Sequence, residues 1–325
     1  MKIFLYKVLI FAFLVIVLQL LIYSFKPSAV ANSVSEGFAT NFDNLSSPKD
    51  ILYFGDSIIE RVAATDTDKR TLPQMTSDLV KPLTVAAIAQ AASQPDIYLA
   101  YSKYIAGRRV KPQAIIIPVN IRSFSPEWDL RPEYQFERER LFLNLAKYPL
   151  GVAAYNPLAV FKADQLLNGA SADNFNNTPI YIGKHKIALV RDIMKIDSFK
   201  YSPEEFKKII AFEYLQPVSP GHRKIKSLRD IIDCFREYPV NLIFYFTPLD
   251  YQTIQENFGP EITAVIKENI RVVKSVLKGP NVKVLDLSYS LPSADFVWKT
   301  EGPINEHLGD KGRLSVASQI AKAVQ

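Results

Sequence analysis

The segment 51–60, ILYFGDSIIE, has the pattern of a strand, a sharp turn and a helix, and it constrains the fold more than any other feature. Ile51 to Phe54 are apolar or aromatic, which is typical of a short buried strand. Gly55 permits the turn, and Ser57 then falls in the first turn of the helix. Ligands bind at the carboxyl edge of open α/β sheets, and the N–H groups of a helix N-terminus suit a developing oxyanion. Ser57 is therefore a candidate nucleophile.

A structural role for the same serine is equally consistent with this segment. Ser57 and Glu60 have the S-x-x-E spacing of a capping box, in which the serine caps the helix and the glutamate bonds back to it. The choice between the two interpretations depends on the rest of the chain.

Strands and helices alternate along most of the chain beyond residue 50. Further strands are predicted at 83–91, 114–119, 240–246 and 282–287, and helices at 58–64, 97–105, 224–237, 261–277 and 310–324. This alternation predicts an α/β fold, a parallel sheet with helices on both faces. We expect five strands, with Gly55, Asn120, Thr247 and the loop around His307 at the carboxyl edge of the sheet.

Residues 123–220 interrupt this alternation. Helices are predicted at 132–145 and 156–167, and an Asn- and Ser-rich loop at 170–178, with no alternation of strands and helices. Long excursions inside a compact domain are often functional. The segment is interpreted as an insertion or lid within a domain that covers residues 50–325.

The N-terminus carries an apolar run over residues 8–25, which extends back to Ile3. About 20 apolar residues span a bilayer, so residues 1–26 are predicted to form a membrane anchor. A cleavable signal peptide is the alternative, since residues 29–31, Ala-Val-Ala, resemble a cleavage site. The apolar run is longer than the 7–15 residues typical of a signal peptide, which favours the anchor.

The lysines around this run indicate its orientation. Lys2 and Lys7 precede the run and Lys26 follows it, an asymmetry that favours a cytoplasmic N-terminus. The domain is then expected outside the cytoplasm, on the periplasmic or extracellular side. Residues 27–49 are polar and are interpreted as a tether.

Composition excludes several classes of function. The net charge is +6, without a long run of Lys or Arg, so nucleic acid is not an expected partner. Cys234 is the single cysteine, which excludes an internal disulfide and a cysteine-based metal site. Neither a G-x-G-x-x-G motif nor a phosphate-binding loop of the Walker type is present, which argues against a nucleotide-binding protein. No metal or organic cofactor is implied.

His307 is the candidate base among the three histidines. His185 and His222 are flanked by basic residues, whereas His307 lies among carboxylates, in EGPINEHLGD at 301–310. A histidine that activates a serine needs a third group to hold it and to stabilise its charged form. A solvent-exposed histidine without a role is the alternative.

Together, these two ends of the chain resemble the SGNH (GDSL-type) hydrolases. Gly55-Asp56-Ser57 resembles the first sequence block of that family, and His307, shortly before a small-residue helix, resembles the last. Asn120 follows a strand where the family places an oxyanion-hole asparagine. The resemblance implies a flavodoxin-like three-layer sandwich, with Ser57 as nucleophile, His307 as base, and Asn120 and the Ser57 N–H as oxyanion donors.

The chain departs from the family pattern in the second, third and last blocks. The third block reads Pro118-Val119-Asn120-Ile121, without the family's glycine before the asparagine and aspartate after it. The second block, residues 90–94, has no glycine, so Ala92 or Ser93 would have to donate the N–H that the family takes from glycine. The position of the orienting acid, three residues before the histidine, is Ile304. The substitutes are Glu301, Asn305 and Glu306, and a Ser–His dyad is also open; Glu301 is preferred and Glu306 is expected to point away from the histidine.

The resemblance and the predicted anchor lead to two hypotheses. The first is a serine esterase or O-acyltransferase that acts on acyl esters of cell-envelope polysaccharide. The second is a catalytically weak domain that binds a glycan or serves as assembly partner of a membrane acyltransferase. A membrane-anchored, exported member of this family resembles the proteins that act in alginate O-acetylation and teichoic-acid D-alanylation, and this analogy concerns fold and location.

Overall fold

The computed structural model describes residues 2–25, 30–32, 34–35, 37–147, 174–197, 199–298 and 304–325. The strands are β1 (Ile51–Gly55), β2 (Val85–Ala89), β3 (Ala114–Val119), β4 (Pro179–Ile182), β5 (His185–Leu189), β6 (Asn241–Phe246) and β7 (Val282–Asp286). The principal helices are α1 (Lys2–Phe25), α2 (Phe38–Ser46), α3 (Ser57–Glu60), α4 (Leu72–Leu79), α5 (Pro95–Ala106), α6 (Pro126–Leu130), α7 (Glu137–Leu145), α8 (Val190–Ile193), α9 (Pro203–Tyr214), α10 (Arg223–Cys234), α11 (Tyr251–Phe258), α12 (Pro260–Lys274) and α13 (Asp310–Val324).

A five-stranded parallel sheet forms the centre of the domain, in the order β2-β1-β3-β6-β7. The predicted α/β, flavodoxin-like fold is confirmed, and β3 and α13 have the predicted bounds. Every residue of β3 is buried, as expected for a central strand that is covered on both faces. The strand order reverses at β1, which lies between β2 and β3. Such a switch point is where open α/β sheets bind ligands.

Helices cover the sheet in two packed groups. α5 packs against α10, and α4 packs against α13. In the second pair, α4, which lies between β1 and β2 in the chain, packs against α13, the last helix. This is the pairing expected when right-handed crossovers build a sheet outward in both directions from β1.

The residues predicted as an insertion, 123–220, lie between β3 and α10, and they contain strands that the sequence interpretation missed. β4 and β5 form an antiparallel hairpin. Its tight turn, Gly183-Lys184, has Gly183 at φ 59°, the left-handed conformation that two-residue hairpin turns need. The predicted helix at 132–145 is shortened to α7 after a 3-10 turn at Pro132–Tyr134. The predicted helix at 156–167 lies outside the described residues.

The N-terminal helix α1 has 24 residues and is largely exposed. Its segment Lys2–Leu21 is long and apolar enough to span a membrane or to serve as a signal sequence. The orientation of the chain across a membrane remains a prediction.

The predicted polar tether is wrong for residues 38–46, because they form α2, which packs on the domain. Phe38, Phe42 and Leu45 of α2 are buried in the core. These apolar residues recur every three to four positions, which is the spacing of one helix face. The polar residues around them led to the interpretation as a tether, since that interpretation considered composition and not spacing.

Two asparagines of α2 cover the open edge of β2. The side chain of Asn41 accepts from the N–H of Ala89 at 3.0 Å and donates to its carbonyl at 2.8 Å. Asn44 donates to the carbonyl of Ala87 at 2.9 Å. These contacts replace the partner strand that an edge strand lacks.

Candidate functional site

Ser57 begins α3 but does not cap it. Asp56 is the N-cap, and its carboxylate accepts a hydrogen bond from the N–H of Ile58 at 2.8 Å. The capping-box interpretation of Ser57 is therefore wrong. The Ser57 Oγ lies 3.1 Å from His307 Nε2, within hydrogen-bonding distance. The predicted proximity of the two residues is present in the structure.

Tight packing beneath the turn explains Gly55. A Cβ on Gly55 would lie 2.1 Å from Cδ1 of Ile59, closer than two carbon atoms can approach. The single turn of α3 therefore folds directly over the end of β1. The helix predicted over 58–64 is shorter than expected, since Arg61 is already extended. This sharp turn fixes Ser57 at the switch point of the sheet.

The backbone on both sides of His307 is held by hydrogen bonds. The His307 carbonyl accepts from the N–H of Val297 at 3.1 Å, and the His307 N–H donates to Asn305 Oδ1 at 2.9 Å. A β-bridge joins Phe296 to Leu308. The loop therefore presents the ring of His307 to Ser57 from the opposite end of the chain, 250 residues away.

The surroundings of His307 keep its ring neutral. Burial, together with the nearby positive charges of Arg61 and Arg122, lowers the pKa of His307 to about 3. A neutral imidazole can accept a proton through the ring nitrogen that lacks hydrogen. At neutral pH His307 is thus unprotonated and able to accept a proton, while the same burial and positive charges disfavour the imidazolium that results.

The residue that orients His307 is not located among the described residues. Glu301, the preferred acid, lies in residues 299–303, outside the described part of the chain. Ile304, three residues before His307, is buried. Asn305 contacts the backbone of His307 through its Oδ1. The role of Glu301 remains a prediction.

Glu306 is directed into the interior. Its side chain accepts a hydrogen bond from the hydroxyl of Tyr214 at 2.5 Å and lies 3.9 Å from the guanidinium of Arg122. The expectation that Glu306 points away from His307 stays a prediction, and its buried, hydrogen-bonded carboxylate contributes to stability.

Arg122 lies at the centre of a buried cluster that the sequence interpretation missed. Its guanidinium donates two hydrogen bonds to Glu213 and one to Glu127 at 3.4 Å. Burial raises the pKa of both Glu213 and Glu306. The three glutamates come from α6, α9 and the His307 loop, so Arg122 connects the segment after β3 to the candidate site.

Asn120 lies directly after β3, at the predicted edge of the sheet. Its Oδ1 accepts from the N–H of Arg122 at 2.9 Å, and its Nδ2 lies 3.5 Å from Asp56 Oδ2. The amide therefore bridges the ends of β1 and β3 at the switch point. An amide nitrogen carries two N–H groups. One makes the long contact with Asp56, and the Asn120 side chain also hydrogen-bonds to the carboxyl group of Glu306, which offsets part of the rise that burial causes in the pKa of Glu306.

Ser93 is not suitably placed to donate its N–H to an oxyanion. That N–H donates to the carbonyl of Gln90 at 3.0 Å. Ala92, by contrast, has φ 62°, a left-handed conformation that is uncommon outside glycine. The N–H of Gln90 donates to the carbonyl of Gly55 at 3.4 Å. The loop after β2, which contains Gln90 and Ala92, therefore lies beside the Ser57 turn. Ala92, rather than Ser93, thus has the positive φ that glycine adopts most readily, and it is the better candidate of the two.

The remaining histidines lie elsewhere in the fold. His185 is exposed on β5, and His222 caps α10 by accepting from the N–H of Lys224 at 3.2 Å. Within the described ranges, no three His, Cys, Asp or Glu side chains are grouped as metal ligands would be.

The buried carboxyl of Asp56 predicts a pH-dependent stability. Burial raises its pKa to about 7, and the negative charge of Glu306 adds to the rise. The folded protein therefore holds a proton that the unfolded chain releases between about pH 4 and 7. Relative to Asp56→Asn, we expect the wild type to lose stability as pH rises, by up to about 1.4 kcal/mol per pH unit within that window.

Urea denaturation of both proteins at pH 5, 6, 7 and 8 measures this difference. Asparagine keeps the oxygen that caps α3, so the comparison isolates the proton. Parallel stability profiles for the two proteins would contradict the raised pKa.

Comparison with known proteins yields distant structural likenesses and no match in sequence. No family model matches the chain, and no curated protein matches it. The chain is similar in fold to the acetylxylan esterase Axe2 from Geobacillus stearothermophilus, with 12% sequence identity and a TM-score of 0.40. The likeness covers 86% of this chain and 94% of that one. A likeness this distant does not bear on the activity or substrate of this chain.

Proposed function

We propose that the chain is a serine esterase or O-acyltransferase that acts on acyl esters. The observation that supports this proposal most is the 3.1 Å contact between Ser57 Oγ and His307 Nε2. A serine hydroxyl is a weak nucleophile until an adjacent base removes its proton. His307 is neutral, buried and fixed by its loop, and the pair lies where open α/β sheets bind ligands.

The reaction begins with attack of Ser57 Oγ on the ester carbonyl carbon, while His307 Nε2 takes the hydroxyl proton. The carbonyl oxygen becomes an oxyanion, stabilised by the N–H groups of Ser57 and Ala92 and by the Asn120 N–H that now makes only the 3.5 Å contact with Asp56. Each such donor typically contributes about 10²–10³ in rate. The imidazolium then gives its proton to the departing alcohol, which leaves the acyl group on Ser57.

The second half of the reaction repeats these roles. His307 takes a proton from water or from an acceptor hydroxyl, and the resulting oxygen nucleophile attacks the acyl carbon. Collapse of the second oxyanion breaks the bond to Ser57 Oγ, which regains its proton from His307. Water as the nucleophile gives hydrolysis, and a sugar hydroxyl gives acyl transfer. Cell-envelope polysaccharide is the proposed acceptor or substrate, on the basis of the predicted anchor and the sequence resemblance.

Labelling with a fluorophosphonate probe tests whether Ser57 is a nucleophile. We expect the wild type to be labelled and Ser57→Ala to be unlabelled, since the probe phosphonylates an activated serine oxygen. Ser93→Ala is the matched control, because Ser93 is buried nearby and its loss should leave labelling intact.

Two outcomes would contradict the proposal. Labelling that persists in Ser57→Ala would place the nucleophile elsewhere. A wild type that is folded but unlabelled would favour the catalytically weak domain that acts as assembly partner of a membrane acyltransferase.

A further inference from the structure

The direction of α2 determines the edge of the sheet at which the chain enters the domain. Asn41, near the start of α2, contacts Ala89, the last residue of β2, and Asn44 contacts Ala87. After α2, the N–H of Asp50 donates to Thr84 Oγ1, and the N–H of Thr84 donates to the Asp50 carboxylate. Thr84 directly precedes the amino end of β2. α2 therefore runs antiparallel to β2, from the carboxyl edge of the sheet to the amino edge.

The candidate site lies on that same carboxyl edge. Ser57 follows β1, Asn120 follows β3, and the His307 loop meets Ser57. Because α2 begins there as well, the chain enters α2 on the side of the sheet that carries the reactive pair.

Only a short stretch of chain separates α1 from the packed domain. α1 ends at Phe25, and Val30, Ala31 and Val34 are already buried in the core. Five residue steps reach at most about 18 Å. A five-residue strand is itself about 17 Å long, so this linker is only about as long as the sheet is deep. The domain can therefore approach the bilayer more easily with the carboxyl edge of the sheet toward the membrane than with the amino edge.

The packing of Val30 and Ala31 also favours retention of α1. These two residues belong to the sequence that resembles a signal-peptide cleavage site. Cleavage after Ala31 would remove both from the core, where their relative exposures are 7% and 0%. Cleavage at this site would therefore remove part of the core, which counts against Ala31 as the point of cleavage.

We propose that the domain sits with the carboxyl edge of its sheet toward the bilayer, so that Ser57 and His307 open onto the lipid surface and act on an acyl ester carried by a lipid. The substrate part of this inference rests on the proposed esterase or acyltransferase activity. The orientation part rests on α2 and on the length of residues 26–29, and it does not depend on activity.

Fluorescence quenching in nanodiscs tests the orientation with the full chain. Starting from Cys234→Ser, single labelled cysteines replace Ala64, in the exposed loop after α3, or Ser47, exposed between α2 and β1. A nitroxide on the lipid headgroup serves as a short-range quencher. We expect Ala64→Cys to be quenched several-fold more than Ser47→Cys.

A second pair of variants, on the opposite edge strand, repeats the comparison. Ser290→Cys, after β7, should be quenched more than Lys278→Cys, before β7. Equal or reversed quenching in both pairs overturns the orientation.

A spacer between Phe25 and Val30 tests the lipid-borne substrate. A Gly/Ser insertion of about 30 residues has a mean span of about 30 Å and lowers the effective concentration of the site at the membrane. We expect several-fold slower hydrolysis of an umbelliferyl acetate attached to phosphatidylethanolamine, with soluble 4-nitrophenyl acetate unaffected.

The two measurements separate the possible failures. Unchanged hydrolysis of the lipid-borne ester, with normal quenching, overturns the lipid substrate and favours an ester presented by another membrane component. Absence of any Ser57-dependent hydrolysis of the soluble ester counts against the proposed activity, and the quenching pairs still decide the orientation.

Discussion

Replacing either Ser57 or His307 with alanine is expected to lower kcat for 4-nitrophenyl acetate by about 10⁴–10⁶-fold. In the proposed mechanism each depends on the other, because His307 takes the proton of Ser57 Oγ across the 3.1 Å contact between them. Steady-state kinetics of the purified protein in detergent measure the loss. His185→Ala is the control, since His185 is exposed on β5, and its activity should match the wild type.

The double variant provides a sharper measurement than either single one. Residues that act as a unit show strongly non-additive losses, so Ser57→Ala with His307→Ala should be no slower than Ser57→Ala alone. Losses that multiply would show that the two side chains act independently. The thermal unfolding of Ser57→Ala should stay close to that of the wild type, which excludes loss of fold as the cause.

Replacing Arg122 with methionine is expected to destabilise the protein by about 3–5 kcal/mol. The substitution leaves Glu127, Glu213 and Glu306 buried without the guanidinium that now contacts them. Removing one partner of a buried ion pair costs far more than the net contribution of the pair, because an uncompensated charge stays in the interior. Urea denaturation at pH 8 measures the loss.

Two comparisons distinguish this electrostatic cause from simple loss of packing. Arg131→Met is the matched control, since Arg131 pairs with Glu127 and Glu133 at a more exposed position and should cost at most about 1 kcal/mol. The second comparison adds Glu213→Gln to Arg122→Met, which should recover part of the stability by removing a buried charge. An equally large loss with and without Glu213→Gln would contradict the proposed cause.

The sequence predicted the sheet because its strands are buried on both faces. A segment such as β3 is then a continuous apolar run, which can be recognised without knowledge of its neighbours. Ser57 could be identified for a similar reason, since a strand, a glycine turn and a helix are encoded within ten adjacent residues. His307 required the two ends of the chain to be considered together.

The features that the sequence did not predict depend on contacts between distant residues. The cluster around Arg122 joins residues from α6, α9 and the His307 loop, and none of these has a distinctive local pattern. The choice of Ala92 over Ser93 depends on a positive φ and on one backbone hydrogen bond. The hairpin β4–β5 did have a local signal, the Gly183-Lys184 turn, which was obscured by the irregular segment around it.

The asparagine contacts of α2 with β2 determine how much of the N-terminus a soluble version of the protein can lose. Removing residues up to Lys49 would uncover the backbone of β2 and the apolar surface now beneath Phe38 and Phe42. Bare edge strands pair with one another between molecules, so such a truncation is expected to aggregate. A version that begins at Val30 would lack the anchor yet keep the side chains that shield the sheet, and it is the shorter form to be preferred for crystallisation.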